Sequence, residues 1–184
     1  MNVYDFDKTI YHVDSTTDFV LYAMRKYPPV LIYLPKILVN LALFGLKLKE
    51  RGKAKESILS FFRILPDAEG LIEKYWDSHM NGFHKWYLAQ KRADDVISSA
   101  SPDIIVAPAC RRLGLTNVIA TKMDPETAKF LTPNNHDKQK VTTFREAFGD
   151  AVIDEFYSDS RSDDPLAQLA KKSFLVKGET LVPW

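Results

Sequence analysis

Three short stretches, far apart in the chain, carry the side chains best suited to chemistry: Asp5, Asp7 and Thr9; Ser99 with Ala100; and Asp159 with Asp163 and Asp164. Lys140 lies between the second and third and can add a positive charge. Carboxylates gathered in one place repel each other and any phosphate, so the set makes sense around a hard divalent cation. Mg²⁺ suits it, preferring oxygen ligands and usually taking one or two carboxylates, waters and a substrate phosphate. Lys140, the hydroxyls of Thr9 and Ser99 and free backbone N–H groups at the turns would then face the charge on a transferring group. Phosphoryl transfer fits this inventory, since it depends mainly on positioning and charge neutralisation. Asp5 could attack phosphorus to give an acyl phosphate, and Asp7 could pass a proton to the leaving alcohol and later take one from water.

Apart from Lys140, which falls in a helix, each of these residues lies just after an expected strand. Met1 to Asp5 reads as a short strand ending in the acidic turn Asp5-Phe6-Asp7-Lys8-Thr9. From His12 to Asp94 the texture is helical. Asp14-Ser15 and Thr16-Thr17 can cap a helix that Tyr27-Pro28-Pro29 ends. Lys53 to Leu65 and Leu71 to Leu88 place apolar residues at near-helical spacing. Strands and helices then alternate. Val96-Ile97 enters Ser98-Ser99-Ala100-Ser101, Pro102 suits the first turn of a helix that stops at Gly114, and Val118-Ile119-Ala120 is the next strand. Phe130-Leu131 could add a small strand. Lys138 to Phe148 reads as a helix closed by Gly149, Phe156-Tyr157 as a strand, Pro165 to Lys171 as a helix and Phe174-Leu175-Val176 as a last strand. This predicts an α/β fold: a parallel, Rossmann-like sheet flanked by helices, residues 1–12 and 94–184, with an all-helical module at 13–93. The site then sits at the carboxyl ends of the strands.

Composition excludes several classes. With 46% hydrophobic and 27% charged residues, 184 residues suffice for a packed interior and argue against disorder. The formal charge of +1 gives no long-range field for a dedicated nucleic-acid binder. The single cysteine, Cys110, cannot form an internal disulfide, and charges follow Met1 at once where a secretory leader would be apolar, so the expected compartment is the cytoplasm. The longest apolar stretch, Pro29 to Leu48, is interrupted by Lys36, Asn40 and Lys47 and falls short of the ~20 mostly apolar positions a spanning helix needs. It reads as a buried or interfacial helix. His12, His79, His84 and His136 show no paired metal-ligand spacing and read as surface or insert residues.

The residues resemble a family. Asp-Phe-Asp-Lys-Thr at 5–9, Ser-Ala-Ser-Pro at 99–102, Lys140-Val141 and Ser-Asp-Ser-Arg-Ser-Asp-Asp at 158–164 look like the four ordered motifs of haloacid dehalogenase superfamily phosphatases. The phosphoserine-phosphatase-like branch, with its small helical cap between the first two motifs, is the most similar. The resemblance implies a Mg²⁺-dependent phosphomonoesterase acting on a small phosphorylated substrate. It implies Asp5 as nucleophile and metal ligand, and Asp7 as acid/base with its carbonyl on the metal. Thr9, Ser99 and Ala100 would bind phosphate, Lys140 would steady the phosphoaspartate, Asp159 would ligate Mg²⁺ and Asp163 would hold a metal-bound water. Ser158 stands where the family usually has Gly. Lys138 competes with Lys140 for the lysine role. Asp14 replaces the Glu expected to read an amino group, and no carboxylate-binding Arg is evident in the cap, which argues against phosphoserine itself.

The aromatic residues of the insert, among them Tyr33, Phe44, Phe62 and Trp76, read first as its own core. An apolar lining over the site would instead favour a lipid-like leaving group. Two other functions fit parts of the pattern: a peripheral membrane protein, as lipid-phosphate phosphatase or binder, using Pro29 to Leu48 and the basic run Lys47 to Lys55; and a non-catalytic, receiver-like phosphate-binding module. The long insert and the late Asp pair argue against the receiver.

Overall fold

The computed structural model describes residues 1–184, built on a six-stranded sheet. In chain order the strands are β1 (Asn2–Tyr4), β2 (Val96–Pro102), β3 (Asn117–Thr121), β4 (Met123–Asp124), β5 (Lys129–Phe130), β6 (Ile153–Ser158), β7 (Ala170–Lys177) and β8 (Thr180–Pro183). The sheet order is β3-β2-β1-β6-β7-β8, parallel from β3 to β7 with β8 antiparallel at one edge. β1 is central, pairing Val3 with Val96 on one side and with Phe156 on the other.

Alternation along the strands separates two hydrophobic layers, as a period of two requires. Val3, Val96 and Phe156 face one side, where Phe144 and Leu166 cover them. Tyr4, Ile97 and Tyr157 face the other and join a larger cluster that runs on into the helical insert. Burial on both faces explains why β2 is almost continuously buried. The first layer is closed by α7 (Lys138–Phe148) and α8 (Asp164–Ala167), the second by α6 (Asp103–Arg112) through Ile105, Val106 and Ala109. The α/β expectation therefore holds, with helices on both faces.

The insert contains α1 (Ser15–Lys26), α2 (Leu34–Gly45), α3 (Arg51–Ile58), α4 (Ala68–His79) and α5 (Lys85–Gln90). Asp14 caps α1, accepting the Thr17 N–H at 2.8 Å. Two long expected helices are broken. Lys53 to Leu65 becomes α3 followed by a 3₁₀ turn over Leu59–Ile64, which buries the successive residues Leu59, Phe61 and Phe62 that no single α-helical face could. Leu71 to Leu88 breaks after His79 because the chain must return to the core. Gly82 O accepts the His12 N–H at 3.1 Å and His84 N–H donates to Ile10 O at 2.9 Å, a strand-like clasp that no continuous helix could make.

Other boundaries moved as well. Pro102 ends β2 and precedes α6 rather than lying in its first turn. The helix expected over Pro165 to Lys171 stops at Ala167, because β7 starts at Ala170 and contains Phe174 to Val176. Phe130 pairs with Met123 in a separate hairpin, and the tail supplies β8, which the sequence reading did not anticipate. The apolar stretch is a 3₁₀ turn over Pro28–Tyr33 running into α2. By length and composition alone Pro28–Gly45 could cross a membrane, and only 17% of it is buried, which removes the buried one of the two expectations, buried or interfacial, and leaves the other. Ile32, Val39, Leu46 and Leu48 are all exposed.

Candidate active site

The ends of β1, β2 and β6 and the start of α7 meet at a polar pocket of about 260 Å³, lined by Asp5, Asp7, Lys8, Ala100, Lys140, Asp159 and Asp163 on the sheet side. It lies at the carboxyl edge of a parallel sheet, where such folds collect their ligands. The turn after β1 sharpens at Lys8, whose φ of 58° is left-handed, an uncommon conformation for a residue with a Cβ. That reversal brings the Thr9 hydroxyl back to Asp5 Oδ2, to which it donates at 3.1 Å.

Asp5 is buried and doubly held, since Lys140 Nζ donates to its Oδ1 at 2.5 Å. The same ammonium donates to Asp163 Oδ2 at 2.7 Å, and Ser158 Oγ donates to that oxygen at 2.8 Å. Two buried carboxylates thus share one buried ammonium. Burial pushes the Asp5 carboxyl up to about 7, opposed by Lys140 and reinforced by Asp163 and Asp7. Burial alone would lower the Lys140 ammonium, but the Asp5 and Asp163 charges hold it above the usual lysine range. The exposed Lys138 lies outside the pocket, so Lys140 is the lysine that reaches Asp5.

Asp7 is oriented from both sides. The Ser15 N–H donates to Oδ1 at 2.7 Å, and Ser101 Oγ donates to Oδ2 at 2.5 Å while accepting from Thr16 Oγ1 at 2.8 Å. Burial, then the nearby Asp14 charge, raises its pKa. Asp159 is tied in through its backbone N–H, which donates to Thr9 Oγ1 at 2.9 Å, with its carboxyl raised by burial and by Asp163.

Asp5, Asp7, Ala100, Lys140, Asp159 and Asp163 converge as the sequence reading expected. Thr9 and Ser99 are placed differently. Both are fully buried behind the pocket wall. The Thr9 hydroxyl braces Asp5 against Asp159, and Ser99 Oγ accepts the Ser101 N–H at 3.0 Å. Asp163 Oδ2 is taken by Lys140 and Ser158.

Several lining residues escaped the sequence reading. Arg51 and Lys55 reach the pocket from α3, and Lys55 Nζ donates to Ala100 O at 3.0 Å. Both belong to the basic run Lys47 to Lys55, and their i, i+4 spacing puts them on one helical face. Burial lowers the Lys55 ammonium, partly offset by Asp7 and Asp14. His136, expected at the surface or in the insert, lines the pocket, and its buried Nε2 has no hydrogen-bond partner. Its position four residues before Lys140, at the entry to α7, was the available signal. Ser160 and Ser162 complete the rim.

A family model described as haloacid dehalogenase-like hydrolase matches residues 3–168. This chain belongs to that family. Among curated proteins, Protein CicA of Caulobacter vibrioides (strain NA1000 / CB15N) is 38% identical over 86 residues, covering 44% of this chain and 39% of that protein. The similarity thus spans well under half of that relative's length. Among solved structures, a protein of unknown function from Bordetella pertussis Tohama I superposes with a TM-score of 0.77 at 16% identity, covering 94% of this chain and 87% of that one. A phosphoserine phosphohydrolase-like protein from Francisella tularensis gives 0.59 at 17% identity, over 94% and 86%. A substrate-bound phosphoserine phosphatase gives 0.54 at 14%, over 93% and 82%. At these identities the likeness is one of fold. In this haloacid dehalogenase-like hydrolase the pocket residues fall inside the matched span, including the late acidic motif at 158–164.

Proposed function

We propose that this hydrolase is a Mg²⁺-dependent phosphatase that cleaves a phosphomonoester through a phosphoaspartate at Asp5. The observation that carries the reading is the triple environment of Asp5: braced by Thr9, held by Lys140 and adjacent to a separately oriented Asp7. A carboxylate oxygen of Asp5 attacks phosphorus, the P–O ester bond breaks, and the leaving alkoxide takes the proton of the Asp7 carboxyl. Water then attacks the acyl phosphate, Asp7 receives its proton, and inorganic phosphate leaves as Asp5 is regenerated. Burial and the Asp14 charge shift Asp7 toward its protonated form, the direction a proton donor needs. Lys140 lies against the oxygen that does not need to react and offsets negative charge on the phosphorylated side chain.

The donor set fits Mg²⁺. The lining contributes Asp5, Asp7, Asp14, Asp159 and Asp163 against Lys8, Arg51, Lys55 and Lys140, an excess of acid before any phosphate enters. A cation that takes one or two carboxylates and completes its shell with water and substrate oxygens suits such a lining. Asp5 and Asp159, with the Asp7 carbonyl, would hold it. Bound there, Mg²⁺ supplies positive charge that keeps Asp5 ionised and offsets the phosphate. The helical insert acts as a cap, lowering Arg51 and Lys55 onto the pocket from α3.

The test is phosphate release from an aryl phosphate by the purified chain. We expect turnover with Mg²⁺, none with a chelator, and loss of turnover in Asp5→Asn with the fold retained by circular dichroism. Full activity in Asp5→Asn would remove the phosphoaspartate route.

A cytoplasmic enzyme working at a membrane surface is a second reading, favoured by the exposed apolar face of Ile32, Val39, Leu46 and Leu48 beside exposed Lys36, Lys47 and Lys53. Apolar residues flanked by cations suit an anionic interface. Co-sedimentation with anionic but not neutral vesicles is expected; indifference to both would refute it.

A further inference from the structure

A second cavity, of about 340 Å³, lies between α1, α2 and α3, and it adjoins the catalytic pocket: Asp14, Arg51 and Lys55 line both. Beyond those three residues its character changes. Ten of its 15 lining residues are hydrophobic, including Val20 and Met24 of α1, Leu38, Leu41 and Phe44 of α2, and Ile58 of α3. The remaining polar lining, Thr16 and Thr17, belongs to the first turn of α1. The cavity is therefore amphiphilic along its length, ionic at Asp14, Arg51 and Lys55 where it adjoins the catalytic pocket and apolar beyond.

We propose that the phosphomonoester cleaved at Asp5 carries a hydrocarbon chain, with its phosphate in the polar pocket and its chain in this groove. The proposal rests on the phosphatase reading and adds the class of leaving group. Three observations choose that occupant. First, Leu38 and Leu41 are 56% and 49% exposed although they line a concave surface, so apolar area stays in water until something apolar covers it. Second, Arg51 sits at the junction with its guanidinium 5.6 Å from the Phe44 ring centroid, one end serving the ionic pocket and its flank serving the apolar groove. Third, a polar leaving group such as a sugar or amino acid would lose its water there without gaining hydrogen-bond partners. A volume of about 340 Å³ is within the range of small-molecule sites.

The test uses the full chain with Mg²⁺ and n-alkyl phosphates from ethyl to decyl, all below their micelle concentrations, with phosphoserine as the polar comparison. We expect kcat/KM to rise about threefold to fourfold per methylene until the groove is full, the factor that burial of one methylene provides. In Leu41→Glu, which changes a half-exposed residue, the decyl-to-ethyl ratio should fall at least tenfold, with circular dichroism verifying the fold. Leu38→Gln should lower the same ratio and serves if Leu41→Glu does not fold. A flat chain-length series with intact aryl phosphatase activity would overturn the proposal, as would phosphoserine exceeding decyl phosphate. If no phosphate ester is cleaved, the phosphatase reading fails instead. Calorimetry with ethyl- and decylphosphonate then decides the groove separately: tighter binding of the long chain supports it, and equal affinity overturns it.

Discussion

Asp7 and Ser101, 94 residues apart in the chain, are joined by a 2.5 Å hydrogen bond from the serine hydroxyl to Oδ2, so the end of β2 orients a carboxyl carried by the turn after β1. The serine hydroxyl in turn accepts from Thr16 at 2.8 Å, which ties the first helix of the insert to the same bond. A carboxyl placed this way has little rotational freedom. Ser101→Ala should lower kcat about tenfold or more, since hydrogen bonds to charged groups contribute about 1.5–3 kcal/mol, while KM changes little. Steady-state kinetics on an aryl phosphate would measure both; a KM effect with unchanged kcat would show that Ser101 serves binding instead.

The two neighbouring lysines offer a clean contrast. Lys140→Met leaves Asp5 and Asp163 buried without their shared cation, and losing one partner of a buried ionic group costs about 3–5 kcal/mol. Urea unfolding should show that loss together with loss of turnover. Lys138→Met, at an exposed position, should stay within about 0.5 kcal/mol of the parent and keep its activity. Equal effects of the two substitutions would contradict the assignment of Lys140.

The return of the insert to the core depends on Gly82. A Cβ there would lie 2.5 Å from both Tyr11 Cε2 and His12 Nδ1, and Tyr11 is fully buried with little room to move. Gly82→Ala should therefore destabilise the protein by about 1–3 kcal/mol, the usual range for overpacking. At ~2–4 °C per kcal/mol for a chain of this size, calorimetry would record a clear drop in Tm. An unchanged Tm would mean that the clasp between residues 10–12 and 82–84 is looser than the hydrogen bonds indicate.

Cys110 should be chemically silent in the native state. It is completely buried among the residues that pack α6 against the sheet, and burial pushes its thiol up to about 12. A thiolate is the reactive form, so at pH 8 the group remains protonated as well as shielded. A disulfide exchange reagent should react with it only after denaturant is added; rapid labelling of native protein would show that α6 opens readily.

Much of this site was legible in the chain because its acids follow strands. A short apolar run ending in a polar turn is a local pattern, and it located Asp5, Asp7, Ala100, Asp159 and Asp163 at one sheet edge without any knowledge of the contacts between them. The same logic placed the helical insert between the first two turns. It failed inside the insert, where hydrophobic periodicity suggested long helices. Gly82 and the run Leu59 to Phe62 obey tertiary demands instead, a return to the core in one case and burial of consecutive side chains in the other. β8 was missed because an edge strand with one buried neighbour has only a weak alternation.

What the sequence determined by itself was therefore the order of the acidic turns, the α/β class and the chemistry that such a set of side chains can perform, all properties of residue type and short-range spacing. Only the tertiary structure decided between Lys138 and Lys140, because the start of α7 orients one side chain inward and leaves the other in water. It also placed Thr9 and Ser99, expected as phosphate contacts, as internal braces, and made pocket walls of Arg51 and Lys55 from the basic run and of His136, expected at the surface or in the insert. The union of an ionic pocket with an apolar groove depends on how α1, α2 and α3 pack, and packing is set by contacts between residues distant in sequence, which no local pattern encodes.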